Sequence, residues 1–288
     1  MSEGTLTVDN LKTKLEEYFT CSEEDLQKNK DMILAELKCF LNFLNSGEVR
    51  AVSKDGNDYK VNVWVKKAIL LVFKLSGIKE IKVSNEIHFQ DKELIIPNGN
   101  RFSGKQVRLV PNASYVREGS YIGKNCVLMS PSYVNIGAYV DDSSMIDSNA
   151  LIGSCAQIGK KVHVSAGAYI GGVLEPVGGL PVIVEDGVLI GGNCGIYEGA
   201  IIEKGAVIAS GVILTSGTAV YDMVKKKVYK ASPGVPLRIP AGAIVVSGAR
   251  GIEGDFAKEH NLSIYTPIIV KYKDQKTEEK VKIEQNLR

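Results

Sequence analysis

The chain has 288 residues, of which 44% are hydrophobic and 24% charged, a balance typical of a folded globular protein and unlike that of a disordered one. Its 35 Lys and Arg residues nearly cancel its 33 Asp and Glu residues, so no overall field favours nucleic acid or an anionic membrane surface. Any anionic ligand must therefore be held by local groups.

Neither a membrane span nor a secretion signal is visible in the sequence. The most apolar stretch, VNVWVKKAILLVFKLSG, is interrupted by Lys66, Lys67 and Lys74, and the N-terminus lacks a basic region followed by an apolar core. The five cysteines are odd in number and form no CxxC pair, which argues against a disulfide framework and a structural zinc site. We therefore expect a cytoplasmic protein that does not enter the membrane and holds no metal.

Residues 1–105 predict an N-terminal α+β domain. A first helix is followed by a second, which Ser22 caps and Gly47 ends. Asp55-Gly56 lies between two short alternating stretches, which predicts a β-hairpin. The segment VKKAILLVFKLSG then predicts a helix that ends at Gly77.

From Val110 onward an aliphatic residue recurs at every sixth position, a period that neither a helix nor a strand explains. The register holds to Ile170, is interrupted by GGVLEPVGGLPVI, and resumes from Val184 to Val220. Four places after these positions the residue is usually small, and Gly is frequent one place after them. The recurring positions are Val110, Val116, Ile122, Leu128, Val134, Val140, Ile146, Ile152, Ile158, Val164, Ile170, Val184, Ile190, Ile196, Ile202, Ile208, Leu214 and Val220.

This hexapeptide pattern is typical of a parallel β-helix, in which short flat strands form the faces of a triangular prism and the aliphatic residues point inward. About six coils, stacked roughly 4.8 Å apart, give a prism on the order of 29 Å long. We predict a mainly β fold: a left-handed parallel β-helix over residues 106–222 with an external loop near 173–183, and a small C-terminal segment over 223–288. In that segment SIYTPIIVKYK predicts a strand and KTEEKVKIEQNLR a tail or helix.

Flat faces offer few concave sites, so a binding site on this fold needs a protruding loop or a neighbouring subunit. The loop sequence EPVGGLPVI is rich in Gly and Pro, and it is either part of such a site or a tolerated surface excursion. His163 is the single histidine within the repeat, so a zinc site of three clustered histidines is not expected.

Several motifs resemble those of the tetrahydrodipicolinate N-succinyltransferase family: LMSPSYVNIGAYVDDSSMID, IGSCAQIGKKVHVSAG, YIGGVLEP and IPAGAIVVSG. Outside the repeat, SGEVRAVSKDGNDYKVNVWVKKAILLVFKLSG resembles that family's N-terminal domain, and LSIYTPIIVKYKDQKT its C-terminal segment. The resemblance implies transfer of a succinyl group from succinyl-CoA to the amine of ring-opened tetrahydrodipicolinate, in lysine and diaminopimelate biosynthesis. It also implies a homotrimer with active sites between neighbouring prisms.

The resemblance implies roles for two polar residues. In this family an arginine before the first coil and an aspartate in the third coil bind the substrate, and they correspond to Arg108 in QVRLVP and Asp147 in SMID. Arg108 can hold a carboxylate through two parallel hydrogen bonds. The amine must lose a proton before it attacks the thioester, so we also expect a catalytic role for Asp147.

One stretch departs from the family pattern. Where relatives read SEVVEG this chain reads CGIYEG, which places Gly195 at the position of an acidic residue. Glu198, three places further on, either substitutes catalytically or is a solvated residue of the coil. Gly167, Gly172 and Ala209 are candidates for the CoA groove, because pantetheine needs backbone without bulky side chains; each is equally explained as a residue that fits the coil.

Two other functions remain open. An N-acetyltransferase of the same fold would use acetyl-CoA, and sequence spacing does not measure a two-carbon difference in the donor. A non-catalytic hexapeptide scaffold is favoured by Gly195 and opposed by Arg108 and Asp147. For the succinyltransferase we expect no permanently bound cofactor, and the partners are succinyl-CoA, a small amino dicarboxylate and further copies of the chain.

Overall fold

The computed structural model of the chain describes residues 7–97, 101–111 and 113–273. Its N-terminal part contains helices and two hairpins. In chain order these are α1 (Val8–Tyr18), α2 (Glu23–Lys28), α3 (Lys30–Ser46), β1 (Val52–Asp55), β2 (Asp58–Val61), α4 (Val63–Leu75), β3 (Ile78–Lys82), β4 (His88–Lys92) and a 3₁₀ turn at Glu93–Ile95.

Local signals explain the helix boundaries. The Ser22 hydroxyl accepts a backbone hydrogen bond in the first turn of α2 and caps it, as predicted. The helix that was expected to run on to Gly47 is interrupted at Asn29, which separates α2 from α3. Gly47 ends α3 in a left-handed conformation with φ 79°. The last of these helices, α4, ends at Leu75 and is capped by Ser76, one residue before the predicted Gly77.

The helices pack on each other and on the region that follows them. β1 and β2 form the expected antiparallel hairpin, and β3 and β4 form a second one that was not predicted. α1, α3 and α4 share a cluster of buried aliphatic and aromatic side chains. Ile136 and Cys155, from the repeat region, belong to the same cluster, so the helical domain lies directly against the β-helix.

The repeat region consists of two-residue strands separated by tight turns. They are β5 (Arg108–Leu109), β6 (Tyr115–Val116), β7 (Tyr121–Ile122), β8 (Val127–Leu128), β9 (Tyr133–Val134), β10 (Tyr139–Val140), β11 (Met145–Ile146), β12 (Leu151–Ile152), β13 (Gln157–Ile158), β14 (His163–Val164), β15 (Tyr169–Ile170), β16 (Ile183–Val184), β17 (Leu189–Ile190), β18 (Gly195–Ile196), β19 (Ile201–Ile202), β20 (Val207–Ile208) and β21 (Ile213–Leu214).

Successive strands belong to successive faces of a prism. Face 1 contains β5, β8, β11, β14, β17 and β20; face 2 contains β6, β9, β12, β15, β18 and β21; face 3 contains β7, β10, β13, β16 and β19. Strands within a face are parallel, and each hexad position lies opposite the next, as in Ile146 opposite Val164 and Ile152 opposite Ile170. The hexad positions from Val116 to Leu214 are buried. The predicted β-helix of hexapeptide repeats is confirmed.

The first coil is one residue out of the predicted register. Leu109, not Val110, lies opposite Leu128. Leu109 is 42% exposed, because no earlier coil covers this end of the prism. Val107 packs against the core from outside the repeat, so the aliphatic period alone misplaced the start.

The interruption of the repeat is an excursion over residues 171–182, which we call the first excursion. It leaves after β15, on face 2, and returns at β16, on face 3. The register survives it, since Ile158 lies opposite Val184 in the neighbouring coil. The loop that was expected near 173–183 is therefore present, between two regular coils.

A second excursion, residues 215–237, follows β21. The strands from its first part onward are β22 (Val220–Asp222), β23 (Lys227–Tyr229), β24 (Arg238–Ile239), β25 (Ala243–Val246), β26 (Ala249–Gly251), β27 (Ser263–Tyr265) and β28 (Ile268–Tyr272), with α5 (Asp255–Glu259) between β26 and β27. β24 pairs with β19 on face 3 and β25 with β20 on face 1, so the strand pairing extends beyond residue 222.

Two predictions for this region change. Val220, expected as the last hexad position, lies instead in β22, which pairs with β23 and β28. Ile239 and Val245 resume the six-residue spacing inside the prism. The strand expected at SIYTPIIVKYK is divided into β27 and β28. The whole of the predicted terminal tail, residues 276–288, lies outside the described residues.

Two further observations concern the helices and the cysteines. Among the described helices, none is long and apolar enough to cross a membrane. All five cysteines are free thiols, and Cys126, Cys155 and Cys194 are buried.

Candidate active site

Asp147 follows β11, at the corner where the chain passes from face 1 to face 2. Its Oδ1 accepts a hydrogen bond from the backbone N–H of Ser148 at 2.7 Å. Its Oδ2 lies 3.6 Å from Nε2 of His163, on the neighbouring strand β14. The side chains are 25% and 15% exposed, respectively, so the pair is a partly screened carboxylate and imidazole that can hold or pass a proton.

Arg108 lies on the same face, in β5. One strand, β8, separates β5 from β11, which puts Arg108 and Asp147 about 10 Å apart along the prism axis. The guanidinium is exposed and contacts Sδ of Met129 at 3.7 Å. Within the described ranges it forms no ion pair. Arg108 therefore lies on face 1 and Asp147 at the edge of the same face, two coils further along.

Gly167 and Ala209 lie along the same edge of face 1. Gly167 follows β14 with φ 67°, and a Cβ there would meet the side chain of Asn193. Ala209 follows β20, and its carbonyl accepts a hydrogen bond from Sγ of Cys194 at 3.0 Å. Local packing is enough to explain the small residue at position 167, so a contact with CoA remains a prediction.

The other two predicted residues, Gly172 and Glu198, lie at the next corner, between faces 2 and 3. Both excursions leave the prism at this corner, and the turn from β18 to β19 that carries Glu198 lies between them. The three segments enclose a cleft of about 780 Å³. Gly172 and Glu198 both line it, together with residues 173–180 and 231–236. A Cβ at Gly172 would also meet the backbone of the preceding coil, so packing alone accounts for this glycine.

Glu198 occupies an unusual turn. Both Glu198 and Gly199 have left-handed backbones, with φ 51° and 71°. The Glu198 carboxylate accepts hydrogen bonds from the backbone N–H of Ser216, at 2.7 Å, and from the Ser216 hydroxyl. These two bonds lower the pKa of the carboxyl below its usual range, and the slight burial of the group only partly opposes them. Glu198 is thus a weak base that is held in place by the second excursion.

Gly195 lies beneath the ring of Tyr197. Residues 195 and 197 point to the same side of β18 because alternate residues of a strand share a face. A Cβ at position 195 would lie 2.9 Å from both Cζ and the hydroxyl oxygen of Tyr197. The ring also covers Gly171, on the neighbouring strand, where a Cβ would lie 2.8 Å from Cδ1. The space of a side chain at position 195 is therefore filled by a phenol that lines the cleft.

Sequence reasoning noted the glycine in CGIYEG but did not identify Tyr197. The available signal was the i, i+2 spacing of a glycine and an aromatic residue on a two-residue strand, which allows the ring to fold back over the glycine.

The predicted site residues form two groups in a single chain. Arg108 and Asp147 lie on face 1, and Glu198 lies at the far edge of face 2. Asp147 precedes β12 and Glu198 follows β18, and both strands belong to face 2. These strands are two coils apart, or about 10 Å along the prism axis. One prism does not bring Asp147 and Glu198 together.

A metal centre has no support in the part of the chain that the structure describes. No group of three or more His, Cys, Asp or Glu side chains there could hold an ion. The chemistry available at both corners is that of carboxylates, an imidazole, a guanidinium and hydroxyl groups.

Stacked coils with this six-residue period define the class of hexapeptide-repeat β-helix proteins. Residues 181–216 match the family model "Hexapeptide repeat of succinyl-transferase", and residues 10–75 match "Tetrahydrodipicolinate N-succinyltransferase N-terminal". The second match lies in the helical domain, outside the repeat.

Three relatives extend these matches over most of the chain. Each is called 2,3,4,5-tetrahydropyridine-2,6-dicarboxylate N-succinyltransferase. The protein from Pseudoalteromonas translucida is 44% identical over 255 residues, 86% of each chain. That from Shewanella amazonensis is 42% identical over 258 residues, 89% of each chain. That from Cupriavidus taiwanensis is 43% identical over 251 residues, 85% of this chain and 86% of its own. The chain belongs to the tetrahydrodipicolinate N-succinyltransferase family, as its motifs indicated.

The packing of Tyr197 on Gly195 generates a stability prediction. Gly195→Ala should destabilise the protein by about 1–3 kcal/mol, because the added methyl group forces the ring out of its position. Tyr197→Val, which removes the ring, should abolish most of that penalty when combined with Gly195→Ala. Urea unfolding of the two single variants and the double variant measures the coupling.

Gly77→Ala is the matched control, since nothing lies within 4 Å of a Cβ at that position. Its effect should stay within about 0.5 kcal/mol. Equal penalties for Gly195→Ala with and without the Tyr197 ring would contradict the proposed packing.

Proposed function

We propose that this chain transfers the succinyl group of succinyl-CoA to the amine of ring-opened tetrahydrodipicolinate, in the cytoplasm, as a step of lysine and diaminopimelate biosynthesis. The observation that carries the proposal is the 44% identity, over 86% of the chain, to a named N-succinyltransferase. The placement of Arg108 and Asp147 on one face supports it. Succinyl-CoA is consumed as a co-substrate, and no resident cofactor takes part.

The chemistry assigns distinct tasks to the two residues on face 1. Arg108 binds one carboxylate of the acceptor through its guanidinium, which has no competing ion pair within the described residues. Asp147 accepts a proton from the ammonium group, and the free amine attacks the thioester carbonyl. The new C–N bond forms and the C–S bond breaks, so that the nitrogen gives up its second proton and the leaving CoA thiolate takes up one proton to become the thiol. His163, 3.6 Å from Asp147, lies where it can relay that proton.

We assign the CoA side of the reaction to small residues at the two corners. Gly172 lines the 780 Å³ cleft, where the excursions could cover pantetheine. Gly167 and Ala209 follow strands of face 1, on the edge that also carries Asp147. Glu198 is a further candidate for a catalytic role; its lowered pKa favours a hydrogen-bond acceptor over a strong base.

We propose a homotrimer with active sites between neighbouring prisms. The separation of Asp147 from Glu198 supports this arrangement. The two side chains meet only if the corner between faces 1 and 2 of one subunit (the 1–2 corner) lies against the corner between faces 2 and 3 of the next (the 2–3 corner). The flat faces of the β-helix leave few other ways to enclose a substrate.

The first test of the function is a thiol-release assay with purified protein. With tetrahydrodipicolinate as acceptor, succinyl-CoA should be consumed at a substantial rate and acetyl-CoA much more slowly. Mass spectrometry of the product should show the added succinyl group. Faster turnover with acetyl-CoA would identify an N-acetyltransferase. No turnover with either donor, and no thermal shift with CoA, would identify a non-catalytic scaffold.

Asp147→Asn tests the activating carboxylate. The amide keeps the shape and one acceptor oxygen but loses the charge and the basicity, so the steady-state rate should fall by about two to four orders of magnitude. The melting temperature should hardly change, because the side chain lies outside the aliphatic core.

Asp141→Asn is the matched control. Asp141 also follows a hexad position, on face 3, and its Oδ1 likewise accepts a hydrogen bond from the next backbone N–H, at 2.8 Å. Its activity should stay close to that of the wild type. A folded Asp147→Asn protein with near wild-type turnover would exclude Asp147 as the activating group and leave Glu198 or His163 to be tested.

Mixed oligomers test the interfacial site. Asp147→Asn and Glu198→Gln subunits should each be impaired when pure. After co-expression, some interfaces pair the intact Glu198 of an Asp147→Asn subunit with the intact Asp147 of a Glu198→Gln subunit. These interfaces contain both carboxylates, so part of the activity should return. Mixed and pure samples that are equally inactive, or a protein that sediments as a monomer at micromolar concentration, would contradict a site shared between subunits.

A further inference from the structure

Lys66 is a buried cation in the helical domain. It lies on α4, and it is 0% exposed, like its neighbours Val65 and Ala68. Removing an ammonium group from water costs several kcal/mol, so a lysine at such a position is kept only where its charge or its hydrogen bonds are needed. No step proposed for the reaction uses it.

The hydrogen-bond partner of Lys66 is outside its own domain. Its Nζ donates to the backbone carbonyl of Gly179, in the first excursion. Within the described ranges no carboxylate lies within ion-pair distance of it. Cys155 is nearby, but burial raises the pKa of its thiol to about 12, so it stays neutral. Burial also lowers the pKa of Lys66, and the amine donates to the carbonyl in either protonation state.

The first excursion has few other ties of this kind. Its backbone bonds include Val173 N–H to Ser154 O at 3.2 Å and Gly179 N–H to Pro176 O at 2.8 Å. The second of these lies within the excursion and does not anchor it. Leu180 packs against the hairpin of the helical domain. Leu174 packs against the buried cluster of the helical domain. The Lys66 bond therefore adds a polar restraint to the glycine-rich stretch between these two leucines.

The restrained segment forms a wall of the cleft. Pro176, Gly178, Gly179 and Leu180 line it, across from the turn that carries Glu198. A shift of the Gly179 carbonyl would therefore move this wall relative to Glu198.

We propose that Lys66 is a positioning residue that fixes the first excursion over the cleft, and that the helical domain thereby sets the geometry of acyl-CoA binding. The second half of this inference rests on the proposed function, in which the cleft receives acyl-CoA. The first half concerns only the mobility of the excursion and can be measured without turnover.

Lys66→Met and Lys67→Met form a matched pair for the test. Met fills a similar volume without a donor, and Lys67, the next residue on α4, has its ammonium group 5.0 Å from the Phe19 ring centroid, away from the excursion. In Lys66→Met, hydrogen exchange of the amides of residues 173–181 should accelerate about tenfold or more, since the hydrogen bond that holds the Gly179 carbonyl is lost. The KM for succinyl-CoA should rise by a similar factor, with a smaller change in kcat.

The melting temperature of Lys66→Met should not fall, because a buried polar amine has been replaced by an apolar side chain of similar volume. Lys66→Arg keeps a hydrogen-bond donor and should retain slow exchange over residues 173–181. If Lys66→Met does not fold, Lys66→Arg replaces it as the test variant. Fast exchange in Lys66→Arg would then contradict the proposal. Equal exchange over 173–181 in the wild type, Lys66→Met and Lys67→Met would overturn the positioning role. Faster exchange with an unchanged KM would overturn the link to acyl-CoA, whereas an inactive wild type would count against the proposed function alone.

Discussion

The whole structure depends on one constraint: every sixth residue must bury an aliphatic side chain directly over that of the coil below. Ile146 over Val164 and Ile152 over Ile170 are examples, and all four side chains are fully buried. A coil that lost this register would expose its aliphatic residue and leave backbone N–H groups unpaired. Additional chain can therefore be inserted only between strands, and it must return in register. Both excursions obey this rule.

The same constraint decides where chemistry can occur. Inward positions are committed to the core, and the flat faces between corners cannot enclose a ligand, so reactive groups are confined to outward positions and corners. Face 1 carries an arginine and a carboxylate–imidazole pair; the 2–3 corner carries a carboxylate between two excursions. The fold is rigid enough to keep the two groups apart within one subunit, which is why a catalytic arrangement that uses both requires a second copy of the chain.

The period of the sequence made the β-helix predictable, and with it the outward position of Asp147. Its two ends were not predictable, because there other forces compete: at Leu109 no earlier coil enforces the register, and after Leu214 an excursion hides two further hexads, at Ile239 and Val245. The contacts that shape the cleft were also not predictable from the sequence. The bond from Lys66 to Gly179 joins residues more than a hundred positions apart, and no local pattern encodes it.

Three departures from the local rules of this fold lie at the cleft. A single left-handed residue is common at the corners of the prism, as at Asn149 and Lys161, but Glu198 and Gly199 are two in succession. A left-handed backbone costs a residue with a side chain about 1–3 kcal/mol. The glycine at position 195 leaves the space that the Tyr197 ring occupies. Lys66 is removed from water where it donates a hydrogen bond to the Gly179 carbonyl. Each feature alone has a structural explanation. All three lie around one cavity, which is the pattern expected where a binding site requires locally unfavourable choices.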